Sequence, residues 1–307
     1  MTTHERSRST ESDERHAPVL VAEVVSMLAP RPGGVYVDCT AGAGGHIAAL
    51  VEAGAARIVA IDRDEQALSI ARDRLKAVAG RVDLEFVHAD FREIGRVMRE
   101  RSIEAASGIL ADLGVSSMQL DDAGRGFSFR QSGPLDMRMD RSSGEPLIAR
   151  LATVDAITLA DAIYRFGEER RSRPIARSIL AARDRGELET TGDLAAAVRR
   201  GAGGGGWQRI DPATRTFQAL RIWVNGELDG LDTFVEDAVG RLERGGRLAV
   251  IAFHSLEDRI VKQTMRRLSE SGGSVAVTRK PVQPGDEEVA RNPRARSARL
   301  RVMERVA

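Results

Sequence analysis

The stretch that most constrains this chain runs from Val35 to His46. Val35-Tyr36-Val37 is a short apolar run ending in Asp38, and Cys39-Thr40-Ala41-Gly42-Ala43-Gly44-Gly45 is a turn of small residues. From Ile47 to Ala53 the pattern is helical. Strand, glycine turn and helix in that order form the entrance to an α/β nucleotide site, because glycine lets the turn tighten and lets a ligand approach the backbone. The rhythm then repeats. Arg57–Ile61 reads as a second strand, Leu84–His88 as a third and Gly108–Ala111 as a fourth, with helical stretches between them. Each ends in small or acidic residues, which predicts a mostly parallel, Rossmann-like sheet with a functional C-terminal edge.

Past Leu120 the rhythm breaks. Leu120 to Asp140 is rich in glycine and lacks a period, and residues 144 to about 200 are helical without a strand candidate, including 155–164, 174–184 and 192–200. The expected organisation is α/β with an inserted all-helical subdomain: a core of residues 16–140 and 212–307, an insertion at 141–211, and a disordered polar leader at 1–15. Gly201 to Gly206 reads as a tolerated surface loop. Thr214 to Leu231 reads as one long helix, and Leu248–Phe253 as a fifth strand after a turn at Gly245-Gly246. Ser274–Thr278 and Ala298–Val302 are candidates for a closing hairpin. Ser255 is placed to cap the helix after the fifth strand, with Asp258 at its N3 position.

Composition excludes several function classes. The single Cys39 rules out an intramolecular disulfide, and five scattered histidines show no zinc-ligand spacing, so no metal site is expected. There is no apolar leader and no 18-residue apolar run, which points to a soluble cytoplasmic protein with no membrane partner. A formal net charge of +1 argues for local basic patches, not a polycation. The dinucleotide pattern Gly-x-Gly-x-x-Gly fails at Ile47, and a P-loop Gly-Lys-Ser/Thr is missing. S-adenosylmethionine, which carries no phosphate, asks for a glycine turn, an acidic residue for the ribose and a third-strand loop for the adenine. Asp38, Asp62, Asp90 and Phe91 fall in that order after strands one to three. Spacing favours a methyltransferase over a dehydrogenase without deciding between them.

More specific runs follow: His16-x-Pro18-Val19-Leu20, Asp38-Cys39-Thr40, Gly44-Gly45-His46, Ile61-Asp62-Arg63-Asp64, and Asp112-Leu113-Gly114-Val115-Ser116-Ser117-x-Gln119-Leu120-Asp121. Then come Arg125-Gly126-Phe127-Ser128-Phe129, Gly133 to Asp140, Gly167-Glu168-Glu169-Arg170, Ala213 to Ala219, Phe253 to Lys262 and Asn292 to Ser297. In this order they closely resemble the bacterial small-subunit rRNA (cytosine-N4) methyltransferase family, MraW, from about His16 to Glu304. The resemblance implies a class I methyltransferase core. It also implies methylation of the N4 amine of cytidine 1402 in 16S rRNA, near the P site, within a partly or fully assembled small ribosomal subunit. The donor would be S-adenosyl-L-methionine and the product S-adenosyl-L-homocysteine. By the family pattern the cofactor contacts map to Gly44, Gly45, His46, Asp62, Phe91, Asp112 and Gln119. Asp211 before Pro212 departs from relatives, which often carry a basic residue or histidine there.

Chemistry suggests the roles. Asp62 would hold the ribose hydroxyls, and Phe91 would wall the adenine or simply pack. Asp38 could take N–H groups of the glycine turn, while Cys39 would pack beneath it. The cytidine amine is a poor nucleophile because its lone pair is delocalised, and an acceptor that holds an N4 hydrogen favours a pyramidal nitrogen. Asp112 is placed to orient that amine or to support the cofactor. His254 is a second catalytic candidate, as a wall of the cytidine pocket; the bland alternative is a turn and cap. A hydrolase reading of His254-Ser255 lacks a Gly-x-Ser-x-Gly elbow. Arg125, Arg138, Arg215, Arg221, Arg294, Arg296 and Arg299 are candidate phosphate contacts, and Phe127 and Phe129 could stack on a base or pack. Oligomeric state stays open, a homodimer included. The rival readings are a methyltransferase for another amine and an assembly factor whose methylation is secondary.

Overall fold

The computed structural model describes residues 18–203 and 211–307. The expected leader, His16 and Gly204 to Gly206 lie outside them. The chain divides into two compact units, residues 18–114 with 230–307, and residues 115–229.

The first unit is built on a seven-stranded sheet. Its strands are β1 (Val35–Asp38), β2 (Arg57–Asp62), β3 (Asp83–His88), β4 (Ala106–Asp112), β5 (Leu242–Ala252), β6 (Ser274–Ala276) and β7 (Arg299–Arg305), in the order β3-β2-β1-β4-β5-β7-β6. The first five run parallel and β7 is antiparallel to both its neighbours. This is the mostly parallel, Rossmann-like sheet predicted from the strand rhythm. Alternation along the strands divides the core between two faces. Val37, Val59 and Ile61 belong to the apolar cluster that includes Val97, Phe234 and Val261 from helices Ile94–Glu100, Leu231–Gly240 and Ser255–Glu270. Tyr36, Ile58 and Ala60 belong to the other, with Val24, Leu50 and Leu68 from helices Val21–Leu28, Gly45–Glu52 and Glu65–Leu75. Because both faces are covered, the central strands read as continuous apolar runs.

Three local expectations need correcting. Gly245-Gly246 is not a turn ahead of the fifth strand but lies within it. Pairing with β4 jumps from Ala106↔Leu242 to Gly108↔Arg247, and Gly245 takes φ +80° in the irregularity. Thr214–Leu231 is not one helix, since helix Pro212–Asn225 ends at Gly226 (φ +56°) and Leu231–Gly240 is separate. The helix after β5 is capped by His254, with Glu257 at N3, and not by Ser255 with Asp258. Asp258 instead accepts hydrogen bonds from Arg301 (Nε, 2.7 Å) and Arg299 (Nη1, 3.0 Å). Burial works against its charge, but the two guanidinium groups outweigh it and hold the carboxyl below its usual range. Removing the acid leaves Arg301, with a side chain only 10% exposed, without its counter-charge. Asp258→Ala is therefore expected to cost about 3–5 kcal/mol, read as a lower urea midpoint with an unchanged slope.

The second unit holds helices Leu147–Thr153, Ala156–Gly167, Ser172–Asp184, Thr191–Ala202 and Pro212–Asn225. It is wider than the helical run at 141–211. Phe127, Leu135, Met137 and Met139 from the aperiodic stretch, and Phe217 and Leu220 from the last helix, share one apolar cluster with Leu159, Ile175 and Val198. The aperiodic stretch is fixed by specific bonds. Asn225 donates to Met137 O (2.7 Å) and accepts from Met139 N–H (2.8 Å), which holds Met137 at φ +60°.

Candidate functional site

β1, β2 and β4 lie side by side, and each ends in an aspartate. The register sets Asp38 beside Ala60 and Leu110, so Asp62 and Asp112 each stand two residues further along the same edge. Thr40 links two of these strand ends, its Oγ1 accepting the Asp112 N–H at 2.6 Å while its own N–H donates to Asp38 Oδ1 at 3.0 Å.

Asp62 organises the glycine turn. Its Oδ2 accepts the Gly42 N–H (2.7 Å) and its Oδ1 the Asp64 N–H (2.8 Å). Asp38 thus takes one N–H of the turn, that of Thr40, and Asp62 takes that of Gly42. Burial pushes the Asp62 carboxyl up to about 6 despite these bonds. Gly44, at φ +79°, ends the turn; a Cβ there would sit 2.7 Å from Leu75 Cδ1, and one on Gly45 would sit 2.6 Å from Pro18 Cγ. The turn needs glycine for packing as well as for any ligand. Cys39 is buried, as expected, and burial raises its thiol well above the usual range.

The first turn of the following helix places His46 between two carboxylates. His46 is 5% exposed, and its Nε2 lies 3.5 Å from Asp112 Oδ2. Burial disfavours its charged form, but Asp112, Asp38 and Glu288 outweigh that and raise its pKa. Asp38 is 1% exposed. Its burial dominates, pushing it up to about 7 against the opposing charge of His46 and the Thr40 N–H. Asp38 Oδ2, Asp112 Oδ1 and both ring nitrogens of His46 are buried with no hydrogen-bond partner among the described residues. Orphaned buried polar atoms are costly and call for a ligand or water. Sequence reasoning did not join Asp38 to His46 and Asp112; the adjacency of β1 and β4 does, and nothing local in the sequence signals it.

These shifts fix a pH dependence. The native protein binds a proton on Asp38 between its ordinary value of 3.8 and about 7, where the unfolded chain has released it. Stability therefore falls as pH rises through that window. The raised His46 acts in the same sense, its contribution being present below its ordinary value and lost as pH rises through the raised one. Asp38→Asn removes the Asp38 contribution, so the Tm difference between about pH 5 and pH 8 should shrink. An unchanged difference in thermal melts would contradict this assignment.

The remaining candidates fare unevenly. Phe91 is taken into the core, 7% exposed and edge-on to Phe234 at 4.8 Å. Asp90 beside it grips Arg92 at 2.6 Å and 2.7 Å. His254 caps the helix after β5: its Nδ1 accepts the Glu257 N–H at 3.4 Å, and Nε2 lies 3.2 Å from Glu257 Oε1. Arg299 is engaged with Asp258, Arg294 is half-buried and Arg296 is exposed.

In the second unit Gln119 is buried, its Oε1 accepting the Ser116 N–H at 3.0 Å in a capping box. Three of the arginines expected to meet phosphates are spent inside the protein. Arg125, 3% exposed, donates to the carbonyls of Arg138 and Met139; Arg138 grips Asp136 at 2.7 Å; Arg221 pairs with Glu227 at 2.8 Å. Arg215 stays exposed, 3.9 Å from Glu169. Phe127 and Phe129 pack within the unit, Phe129 meeting Phe217 edge-on at 4.8 Å. Asp211 caps helix Pro212–Asn225 and pairs with Arg199 at 2.7 Å.

Comparison with known proteins adds a second line. A family model described as the MraW methylase family matches residues 13–306. A protein of Sorangium cellulosum named ribosomal RNA small subunit methyltransferase H is 55% identical over 95% of this chain and 91% of its own length. Proteins of the same name from Nitrobacter winogradskyi and Thermomicrobium roseum are each 48% identical over 95% of this chain and cover 91% and 94% of their own lengths. Among the described residues no helix is long and apolar enough to cross a membrane.

Proposed function

The chain belongs to the MraW methylase family, and on that premise we propose that it transfers a methyl group from S-adenosyl-L-methionine to the N4 amine of cytidine 1402 in 16S rRNA. The substrate is a partly or fully assembled small ribosomal subunit in the cytoplasm. The observation that carries this reading is the buried Asp38–His46–Asp112 cluster beside the glycine turn, with its orphaned oxygens and ring nitrogens. Those groups suit the methionine end of the donor: carboxylate oxygens for its ammonium, and a charged imidazole for its carboxylate. Asp62, with one lone pair of each oxygen committed to a backbone N–H, keeps others for the ribose hydroxyls. Gly44 and Gly45 complete the turn, and Phe91 contributes through the elements it packs.

When bound, the sulfonium supplies an electrophilic methyl group. Asp112 then has the working role among this chain's residues. Its carboxylate accepts one N4 hydrogen, favours a pyramidal amine, and takes the proton that the nitrogen sheds on gaining its new bond. His46, 3.5 Å away, supports the charge on that carboxylate. Alignment of amine and methyl contributes more than acid–base strength. The target base leaves its stack to reach the site, with Arg215, Arg294, Arg296 and Arg299 retained as phosphate contacts.

The test is nucleoside mass spectrometry of 16S rRNA from a deletion strain, with position-specific mapping and add-back. Loss of N4-methylcytidine at one position, restored by wild type only, is the expected result. An unchanged profile would sink the cytidine assignment and leave another amine as the acceptor. A catalytically dead protein that restored the cellular phenotype would favour an assembly role.

A further inference from the structure

Helix Ala156–Gly167 and helix Ser172–Asp184 meet at a tight corner, residues 168–171. Glu168 makes the turn in the left-handed region, at φ +50°. The corner also receives helix Pro212–Asn225. A Cβ on Gly167 would lie 2.7 Å from the Arg215 carbonyl oxygen, and the Arg215 guanidinium reaches to 3.9 Å from Glu169. Arg165 and Arg170 flank the corner, Arg173 follows in the first turn of the next helix, and Arg177 lies one turn beyond on the same face. All five arginines are exposed. Arg165, Arg170, Arg173 and Arg177 lie within ion-pair distance of no carboxylate among the described residues, while Arg125, Arg138 and Arg221 in the same unit hold backbone carbonyls or carboxylates. Tyr164, one helical turn before Gly167, is 58% exposed. Arg165 lies over the Phe166 ring at 5.6 Å, but exposed arginines without a carboxylate partner, and an exposed tyrosine in the same helix pair, are poorly explained by folding. Cations that track a backbone, beside an aromatic face on which a base can stack, are the features of a single-stranded nucleic-acid site.

We propose that this corner is a landing site for a single-stranded stretch of the RNA substrate, with Arg165, Arg170, Arg173, Arg177 and Arg215 holding phosphates and Tyr164 stacking on an unpaired base. The proposal rests on the reading of the substrate as RNA. It moves the RNA-binding surface away from the internally paired arginines that sequence favours, to side chains that the fold leaves exposed. The ring requires an unpaired base, since an A-form duplex offers only its shallow groove and backbone.

The experiment uses the full-length protein and a mixed-sequence single-stranded RNA oligomer, with the matched duplex as comparison. Affinity is read by fluorescence anisotropy over a salt series, and S-adenosylmethionine affinity by calorimetry on the same proteins. Arg173→Glu with Arg177→Glu should weaken single-strand binding at least tenfold and lower the salt slope by about 1.4, near 0.7 for each phosphate no longer neutralised. Tyr164→Ala should weaken it roughly fivefold to a hundredfold with the slope unchanged. Arg81→Glu with Arg99→Glu makes the same charge change at exposed arginines of the first unit and should leave both affinity and slope near wild type. Cofactor affinity should be equal in all four proteins. Equal losses in the two double variants, no loss in Tyr164→Ala, or wild-type preference for the duplex would each overturn the corner site. Corner-dependent RNA binding without cofactor binding in wild type would uphold it and count against the methyl-transfer reading.

Discussion

Asp112→Asn is expected to lower methyl transfer by roughly two to four orders of magnitude while the protein folds normally. The substitution keeps the size of the side chain and the backbone N–H that donates to Thr40 Oγ1, so the β1–β4 junction should survive. What it removes is the charge 3.5 Å from His46 Nε2 and the acceptor that would hold the amine. His46 loses its principal supporting charge, and its raised pKa should fall back, an effect visible by NMR titration of the imidazole. Single-turnover kinetics with saturating donor separate the two roles of Asp112. A loss confined to donor affinity, with turnover restored at saturation, would mean that Asp112 only supports the cofactor. A loss that persists at saturation places it on the amine.

Gly133→Ala should act on folding and not on chemistry. A Cβ on Gly133 would lie 1.9 Å from the Ala123 carbonyl oxygen and 2.8 Å from its carbon, both backbone atoms. Neither segment can give way cheaply. Gly133 N–H donates to Thr191 Oγ1 (3.0 Å), its carbonyl accepts the Thr191 N–H (2.9 Å), and Pro134 bridges Thr190. On the other side Ala123 opens the turn that carries buried Arg125. The expected cost is about 3 kcal/mol or more, read as a lower urea midpoint. Gly80→Ala is the comparison, because a Cβ there meets nothing within 4 Å. Similar midpoints for the two variants would refute the packing argument.

The parts of the fold legible in sequence are those set by local pattern. Buried parallel strands need apolar runs, so Val35–Val37, Arg57–Ile61 and Gly108–Ala111 announced themselves, and their acidic ends marked the edge where Asp38, Asp62 and Asp112 gather. Partners were not legible. An arginine that pairs with Glu227 and one exposed beside Glu169 look alike in a string of letters, so Arg221 and Arg215 drew the same expectation. Gly245-Gly246 has the composition of a turn, and only its pairing with β4 makes it an irregularity within a strand. The joining of Asp38, His46 and Asp112 depends on β1 lying beside β4, which are separated in sequence by two strands.

That same strand order has a consequence for synthesis. β4 ends at Asp112 and its partner β5 begins at Leu242, with the whole second unit between them. As the chain leaves the ribosome, the four strands β3-β2-β1-β4 can assemble while the outer edge of β4, buried along nearly its whole length in the finished protein, still lacks a neighbour. The helical unit is completed during that interval, and only then can β5 and β7 close the sheet. An unpaired apolar strand is an aggregation hazard for as long as it waits. Slowing translation within residues 115–229 should therefore lower the soluble yield, whereas slowing it after Arg305 should not.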